Sequence, residues 1–319
     1  MGMAFRKLAS LMGVLTLTLG LLLSGCGTTE TTSGNTSGKI DGKIKVTTTI
    51  GMITDIVKNV GGDHVEVTGL MGPGVDPHLY KASQGDIAKL KEADIIFYNG
   101  LNLEGKMADI FVKLSREKPA IAVTEYIPET QLQEPPDFGG HFDPHVWFDV
   151  KMWMKAVERV RDGLIEAAPQ HKADFEKNTQ QYLKQLEELD AYAKTQLAQI
   201  PKERRVLVTA HDAFNYFGRA YDLEVKGLQG ISTDSEYGLK DVQNLVDLLV
   251  QRKIKAVFVE SSVPKRAIEA VVEGAKAKNH QVTIGGELFS DAMGDPGTKE
   301  GTYIGMVRHN VDTIVSALK

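Results

Sequence analysis

The tripeptide Asp-Pro-His occurs twice in a chain that has only 8 histidines. It places His78 and His145 behind the same stiff dipeptide, because proline fixes its own φ and pushes the preceding residue into an extended conformation. A ligand held on such a backbone loses less conformational entropy when it binds a metal ion. The repeated tripeptide therefore indicates two histidines that bind one ion.

Two more potential ligands follow strand-like stretches. His211 comes directly after VLVTA, and Asp291 lies in the loop after QVTIGG. In open α/β sheets, ligands bind at the carboxyl ends of the strands. Three imidazoles and one carboxylate suit a divalent first-row metal such as Zn²⁺, Mn²⁺ or Fe²⁺. We predict one metal site with two ligands from each half of the chain: His78, His145, His211 and Asp291.

Two other residues could support this site. Glu260 ends the strand-like stretch AVFVE, where its carboxylate could accept a hydrogen bond from a histidine N–H or contact the other lobe. His141 precedes His145 by four residues, but Pro144 argues against a helix that would put both on one face. His141 is thus either a solvated loop residue or an accessory ligand. The other histidines lie in polar or helical contexts and are assigned no role: His64, His171, His280 and His309.

Strand and helix patterns alternate around these residues. The stretches KIKVTTTI at 43–50, VEVTGLM at 65–71 and DIIFYNG at 94–100 predict strands with helices between them. Ser83 and Asp86 resemble a capping box at the start of one of those helices. The pattern resumes after Pro201 with RVLVTA, KAVFVE and QVTIGG. Such an alternation predicts parallel sheets covered by helices.

The middle of the chain is helical. A helix from about 171 to 199 would be about 40 Å long, enough to join two lobes. We therefore expect an α/β fold with two βα lobes joined by one long rigid helix and the metal site in the cleft between them. The expected boundaries are 43–168, 169–200 and 201–319. A coiled-coil segment is the weaker alternative, because the apolar spacing is not strict.

The N-terminus has the pattern of an export signal. Basic residues, an apolar stretch and small residues precede Cys26, the only cysteine, which predicts a signal peptide over 1–25. The sequence Leu23-Ser24-Gly25-Cys26 resembles the bacterial lipobox, in which the cysteine is lipidated. Residues 26–42 then form a flexible tether rich in Gly, Ser and Thr. We expect a protein anchored by lipid at the outer side of the cell membrane.

Four separated segments resemble the TroA-type solute-binding lipoproteins, the cluster A-I metal-binding components of bacterial ABC transporters. These segments are GVDPHLYKASQGDIAKLKEADIIFYNGLNLEGKM, DPHVWFDV, TAHDAFNYFGRAYDLEVKGLQGISTDSEYG and GELFSDAMG. The resemblance covers nearly the whole chain after the tether. It implies two lobes bridged by a long helix, a metal held between them by the four residues named above, and delivery of that metal to a permease driven by an ATPase.

The resemblance also bears on the metal. The zinc-specialised branch often carries a long His-rich loop before its second ligand, whereas QLQEPPDFGGHFD is short and holds His141 alone. This departure favours Mn²⁺, with Zn²⁺ a close second and Fe²⁺ a further option. Intrinsic ligand affinity favours zinc over manganese, while a bidentate aspartate would suit manganese.

The expected function is capture of a metal ion, without catalysis. The alternatives are a metallohydrolase that uses the same His₃Asp site and a surface adhesin. The sequence contains neither H-E-x-x-H nor G-x-S-x-G. A net charge of −5 gives no support to a nucleic-acid partner. We expect a monomer that contacts the membrane through its lipid anchor only.

Overall fold

The computed structural model describes residues 42–136 and 138–319. The predicted signal peptide, Cys26 and the tether up to residue 41 lie outside the described residues. Within the described ranges, every helix falls short of the length and apolar character that a bilayer crossing requires.

Strands and helices alternate along most of the described residues. The strands are β1 (Ile44–Thr48), β2 (Val65–Gly69), β3 (Ile95–Tyr98), β4 (Ala120–Ala122), β5 (Val206–His211), β6 (Glu224–Gln229), β7 (Ala256–Glu260) and β8 (Thr283–Leu288). The α-helices are α1 (Gly51–Gly61), α2 (Gln84–Glu92), α3 (Ala108–Leu114), α4 (Val150–Ala167), α5 (Lys172–Leu197), α6 (Asn215–Tyr221), α7 (Leu239–Arg252), α8 (Arg266–Ala277) and α9 (Tyr303–Leu318).

The first four strands form one parallel sheet in the order β2-β1-β3-β4. The two central strands, β1 and β3, are almost entirely buried, as expected when helices cover both faces of a parallel sheet. Parallel pairing puts the carboxyl ends of all four strands at one edge. The loop that follows β2 at this edge carries the first Asp-Pro-His.

The second half of the chain repeats this arrangement with two parallel pairs, β5 with β6 and β7 with β8. Strand β5 also lies against β7. Every residue of β5 and of β7 is buried, which explains their nearly continuous apolar sequences. Their last residues are His211 and Glu260, so these two side chains meet at the carboxyl edge.

Helix α5 confirms the predicted long helix. Its 26 residues span about 39 Å at 1.5 Å per residue. It packs against α1, α4 and α9, elements from both halves of the chain. Its apolar face is buried in a core that contains residues of both halves, through Phe175, Tyr182, Leu186 and Leu189. A partner chain is not needed to cover that face, which removes the reason for the coiled-coil alternative.

The predicted capping box is confirmed at the start of α2. Ser83 Oγ accepts a hydrogen bond from the backbone N–H of Asp86 at 3.2 Å, and Asp86 Oδ2 accepts one from the backbone N–H of Ser83 at 3.0 Å. Four elements were not predicted: α3, α6, β6 and α9. Strand β6 carries Glu224, Lys226 and Gly227 and is partly exposed, so it lacks the apolar pattern of a central strand.

Helix α5 is fixed to α1 by a buried hydrogen bond, which gives a test of the packing. The hydroxyl of Tyr182 donates to Asp55 Oδ2 at 2.6 Å. Burial raises the pKa of Asp55, and the hydrogen bond from Tyr182 opposes that effect. Replacing Tyr182 with phenylalanine leaves a buried carboxyl group with one donor fewer. We expect Tyr182→Phe to lower the free energy of unfolding of the metal-free protein by about 1–3 kcal/mol, measured by urea denaturation.

Tyr192→Phe is the matched control, because Tyr192 lies on the same helix and its hydroxyl donates to Asp312 at the exposed surface. The control should change the free energy of unfolding by less than about 0.5 kcal/mol. Equal losses in the two variants would contradict this account of the packing.

Candidate metal centre

The structure brings the four predicted ligands together where the two halves of the chain meet. His78 follows β2, His145 precedes α4, His211 ends β5 and Asp291 follows β8. One donor atom of each residue lies within 4.8 Å of the others. All four residues are buried, with at most 4% of their surface exposed. The group is therefore compact and dry.

The separations of the donor atoms fit a single ion. Asp291 Oδ2 lies 3.2 Å from His211 Nε2 and 3.7 Å from His78 Nε2, while Oδ1 lies 3.3 Å from His145 Nε2. The Nε2 atoms of His78 and His145 are 3.2 Å apart. Donors about 2.1 Å from one tetrahedral centre are about 3.4 Å from each other. A divalent cation thus fits between these atoms without a large rearrangement.

The repeated Asp-Pro-His has a second structural reason besides stiffness. Asp76 Oδ1 accepts a hydrogen bond from the backbone N–H of His78 at 2.9 Å, and Asp143 Oδ1 accepts one from that of His145 at 3.0 Å. Proline has no N–H, so the first backbone donor after each aspartate belongs to the histidine. Each aspartate thereby fixes the backbone of its own ligand residue.

Carboxylates also orient two of the imidazole rings. Nδ1 of His145 lies 2.7 Å from Asp143 Oδ1, and Nδ1 of His211 lies 2.5 Å from Glu260 Oε2. Because a carboxylate only accepts hydrogen bonds, each ring must carry its proton on Nδ1 at these contacts. That leaves Nε2 directed at the centre, as in the carboxylate–histidine pairs of metal sites.

The loop that carries Asp291 is fixed by side chains from elsewhere in the chain. Asn310 of α9 bonds both the backbone N–H and the carbonyl of Phe289, at 2.9 and 2.7 Å. Trp147 Nε1 donates to the carbonyl of Ser290 at 3.1 Å. The carboxylate is therefore positioned by α9 and by the segment that bears His145.

Three of the buried polar atoms at this centre make no hydrogen bond with any described residue: both carboxylate oxygens of Asp291 and Nε2 of His211. Unsatisfied buried polar atoms are costly, and a buried charge more so. These three atoms face the same small volume, since Nε2 of His211 lies 3.2 Å from Oδ2 of Asp291. Such an arrangement suits a positive ion in that volume.

Charges at the centre shift the pKa values of its members in opposite directions. Burial opposes protonation of His145, but the neighbouring carboxylates outweigh burial and raise its pKa to about 9. Burial is also outweighed at His211, whose pKa is well above the ordinary value. At His78 burial dominates and lowers the pKa to about 3. Burial would raise the pKa of Asp291, but the nearby imidazoles hold it well below the ordinary value.

Glu260 and His141, the two residues that could support the site, lie in different surroundings. Glu260 contacts both the backbone N–H and the ring of His211, so it lies directly behind a donor. His141 is exposed, with its ring 5.8 Å from that of Phe138, and it is not a member of the group of four. Sequence reasoning missed the contacts of Asp143 and Asn310. The repeated tripeptide was a signal for the first, whereas the second had no signal in the sequence.

Comparisons with known proteins show the family of this chain. Residues 46–317 match the model of the ZnuA family, described as zinc-uptake complex component A, periplasmic. The manganese-binding lipoprotein MntA of Bacillus subtilis (strain 168) is 56% identical over 298 residues, which cover 93% of this chain and 95% of MntA.

A second relative has both a sequence and a solved structure that match. The zinc-binding protein TroA of Treponema pallidum (strain Nichols) is 53% identical over 288 residues, covering 89% of this chain and 92% of TroA. The solved structure of the periplasmic zinc-binding protein TroA superposes with a TM-score of 0.85 at 54% identity, covering 87% of this chain and 99% of that structure. These matches confirm the two-lobed α/β fold and the resemblance inferred from the four segments, and the chain belongs to the ZnuA family, together with the TroA-like lipoproteins.

Proposed function

We propose that this chain captures a divalent transition metal outside the cell and delivers it to the permease of an ABC transporter. One observation carries the proposal: four buried donor atoms from both halves of the chain lie within 4.8 Å of one another. The metal is cargo, bound by His78, His145, His211 and Asp291. Relatives named as manganese- and zinc-binding proteins, at 56% and 53% identity, support the reading.

Manganese is the favoured cargo, and zinc is a close second. Sequence identity does not distinguish the two metals, since the manganese-binding MntA and the zinc-binding TroA are similarly close to this chain. The carboxylate of Asp291 does favour manganese, because Oδ1 faces His145 while Oδ2 faces His211 and His78. With both oxygens directed at the centre, the site can offer five donors. Zinc is satisfied by four, whereas manganese accepts higher coordination numbers.

The partners and the location follow from the same family. Several relatives are named lipoproteins of metal ABC transporters, which supports a lipid anchor on Cys26 and a permease with its ATPase as the receiving complex. The chain acts as a monomer attached to the membrane through that lipid alone. The proposed parts are a signal peptide (1–25), a lipidated tether (26–42), two lobes (43–168 and 201–319) and a linker helix (169–200).

The site is better suited to carrying a metal ion than to catalysing hydrolysis with one. A hydrolytic metal needs an open coordination position for water and a route for substrate. The four donor residues are at most 4% exposed, so the centre resembles a closed cage more than an open one. Nothing in the described residues favours the metallohydrolase or the adhesin alternative, and neither is proposed.

The ligand assignment is tested by removing one imidazole. We expect His211→Ala to weaken binding of both Mn²⁺ and Zn²⁺ by at least about a hundredfold, because even residues behind a metal ligand are worth 10- to 100-fold. Calorimetric titration in the presence of a competing chelator measures the affinities. The matched control is His280→Ala, since the ring of His280 bonds the carbonyl of Ile254 at 2.6 Å and is not a member of the group. Equal affinities in the two variants would remove His211 from the site.

Proton release gives a second test. The neighbouring carboxylates raise the pKa values of His145 and His211, which favours the protonated rings, and a metal ion that binds Nε2 displaces those protons. Binding should therefore release protons at pH 7 and tighten as the pH rises toward about 9, the pKa of His145. Titrations in buffers of different ionisation enthalpy count the protons.

The variant Glu260→Gln serves as the comparison for that count. It removes one of the two carboxylate charges that raise the pKa of His211, the other being Asp291, while its amide oxygen can still accept a hydrogen bond. We expect it to release fewer protons per ion than the unchanged protein. Binding without any proton release in the unchanged protein would contradict the protonated state of these rings.

A further inference from the structure

A second group of metal-binding side chains lies at the surface, outside the centre described above. It consists of His64, His171 and Asp174, each of which offers one donor atom within 4.8 Å of the others. His64 ends a 3-10 turn (Gly62–His64) between α1 and β2, and His171 ends a 3-10 turn (Pro169–His171) before α5. Asp174 lies in the first turn of α5. The proposed function uses none of them.

The geometry of this group is well defined. Nε2 of His64 lies 2.9 Å from Oδ2 of Asp174. The rings of His64 and His171 stack with centroids 3.9 Å apart and planes inclined by 22°. Both rings meet the ring of Phe175 edge-on, at 5.8 and 6.1 Å. Phe175 is fully buried, so it forms a rigid apolar floor under the two imidazoles.

The backbone around the group is also fixed. Asn178 of α5 donates to the carbonyl of Val60 at 3.1 Å, which joins the end of α1 to the start of the long helix. Gly62 has a φ of +53°, a conformation that few other residues adopt readily, and it turns the chain toward His64. The backbones that carry the donors are therefore held by two segments that pack against each other, so binding an ion requires rotation of the two stacked rings but little ordering of the backbone.

We propose that His64, His171 and Asp174 form a second metal site that takes Zn²⁺ or another cation with a preference for imidazole, such as Cu²⁺ or Ni²⁺. Two imidazoles and one carboxylate are a common ligand set for zinc, and water can supply the remaining position. Manganese prefers oxygen donors and gains little from this set. The side chain of His64 is 28% exposed and that of Asp174 is 59% exposed, so the bound ion exchanges with solvent.

This second site would distinguish zinc from manganese, the two metals that are nearly equal candidates for the cargo in the proposed function. Zinc would bind at the centre and at the surface group, whereas manganese would bind at the centre alone. A surface ion would also cross-link the α1–β2 connection to the start of α5. Zinc should therefore stabilise the protein more than manganese does when both saturate the centre.

The test is a count of bound ions on the full chain, by equilibrium dialysis against Zn²⁺ alone or Mn²⁺ alone. We expect two zinc ions per chain and one manganese ion. His64→Gln and His171→Gln should each reduce the zinc count to one and leave the manganese count unchanged. The control His141→Gln removes another exposed histidine of the same protein and should leave both counts unchanged. A single zinc ion in the unchanged protein, or a second zinc ion that persists in both variants, overturns the proposal.

Two further measurements make the result independent of the folding of the variants and of the proposed function. Co²⁺ added to the unchanged protein should broaden or shift the ring proton signals of His64 and His171 in NMR spectra, and unshifted signals count against the site. In a His211→Ala background the surface group should still bind one zinc ion, which His64→Gln then removes. Loss of the central site and loss of the surface site therefore give different zinc counts across these variants.

Discussion

The structure depends on one electrostatic constraint: the carboxylate of Asp291 is buried among three imidazoles that come from both halves of the chain. A buried carboxylate is costly unless positive charge lies beside it. Protons on His145 and His211, or a metal ion, provide that charge. The positive charge beside Asp291 thereby comes from both halves of the chain, with His145 in the first and His211 in the second.

The fold supplies this centre from rigid parts. Parallel strands end at a common edge in each half, and those edges carry His211 and Glu260 directly and His78 and Asp291 through short loops. Helix α5 packs against helices of both halves, and one apolar core contains residues of both. Because packed cores resist continuous deformation, the distance between the two edges is held within narrow limits. Together with the hydrogen bonds that orient each ligand residue, this holds the donor atoms 3.2–3.7 Å apart.

Local signals explain what could be predicted from the sequence and what could not. The strand ends and the repeated tripeptide identify His78, His145 and His211 within a few residues of sequence, and the same holds for the capping box of α2. The support of Asp291 by Asn310 depends on how α9 packs, and α9 itself was not predicted. The surface group was missed for the same reason, since His64 and Asp174 are 110 residues apart and meet only through the packing of α1 on α5.

The pKa shifts indicate why the centre can hold cargo reversibly. The raised pKa values of His145 and His211 let a divalent ion enter the proposed site in exchange for protons, so the enclosed charge changes less than it would without that exchange. The buried carboxylates of the site therefore face positive charge in either state. Exchange of protons for metal lets the same rigid geometry be stable with and without the ion, which is what a carrier requires.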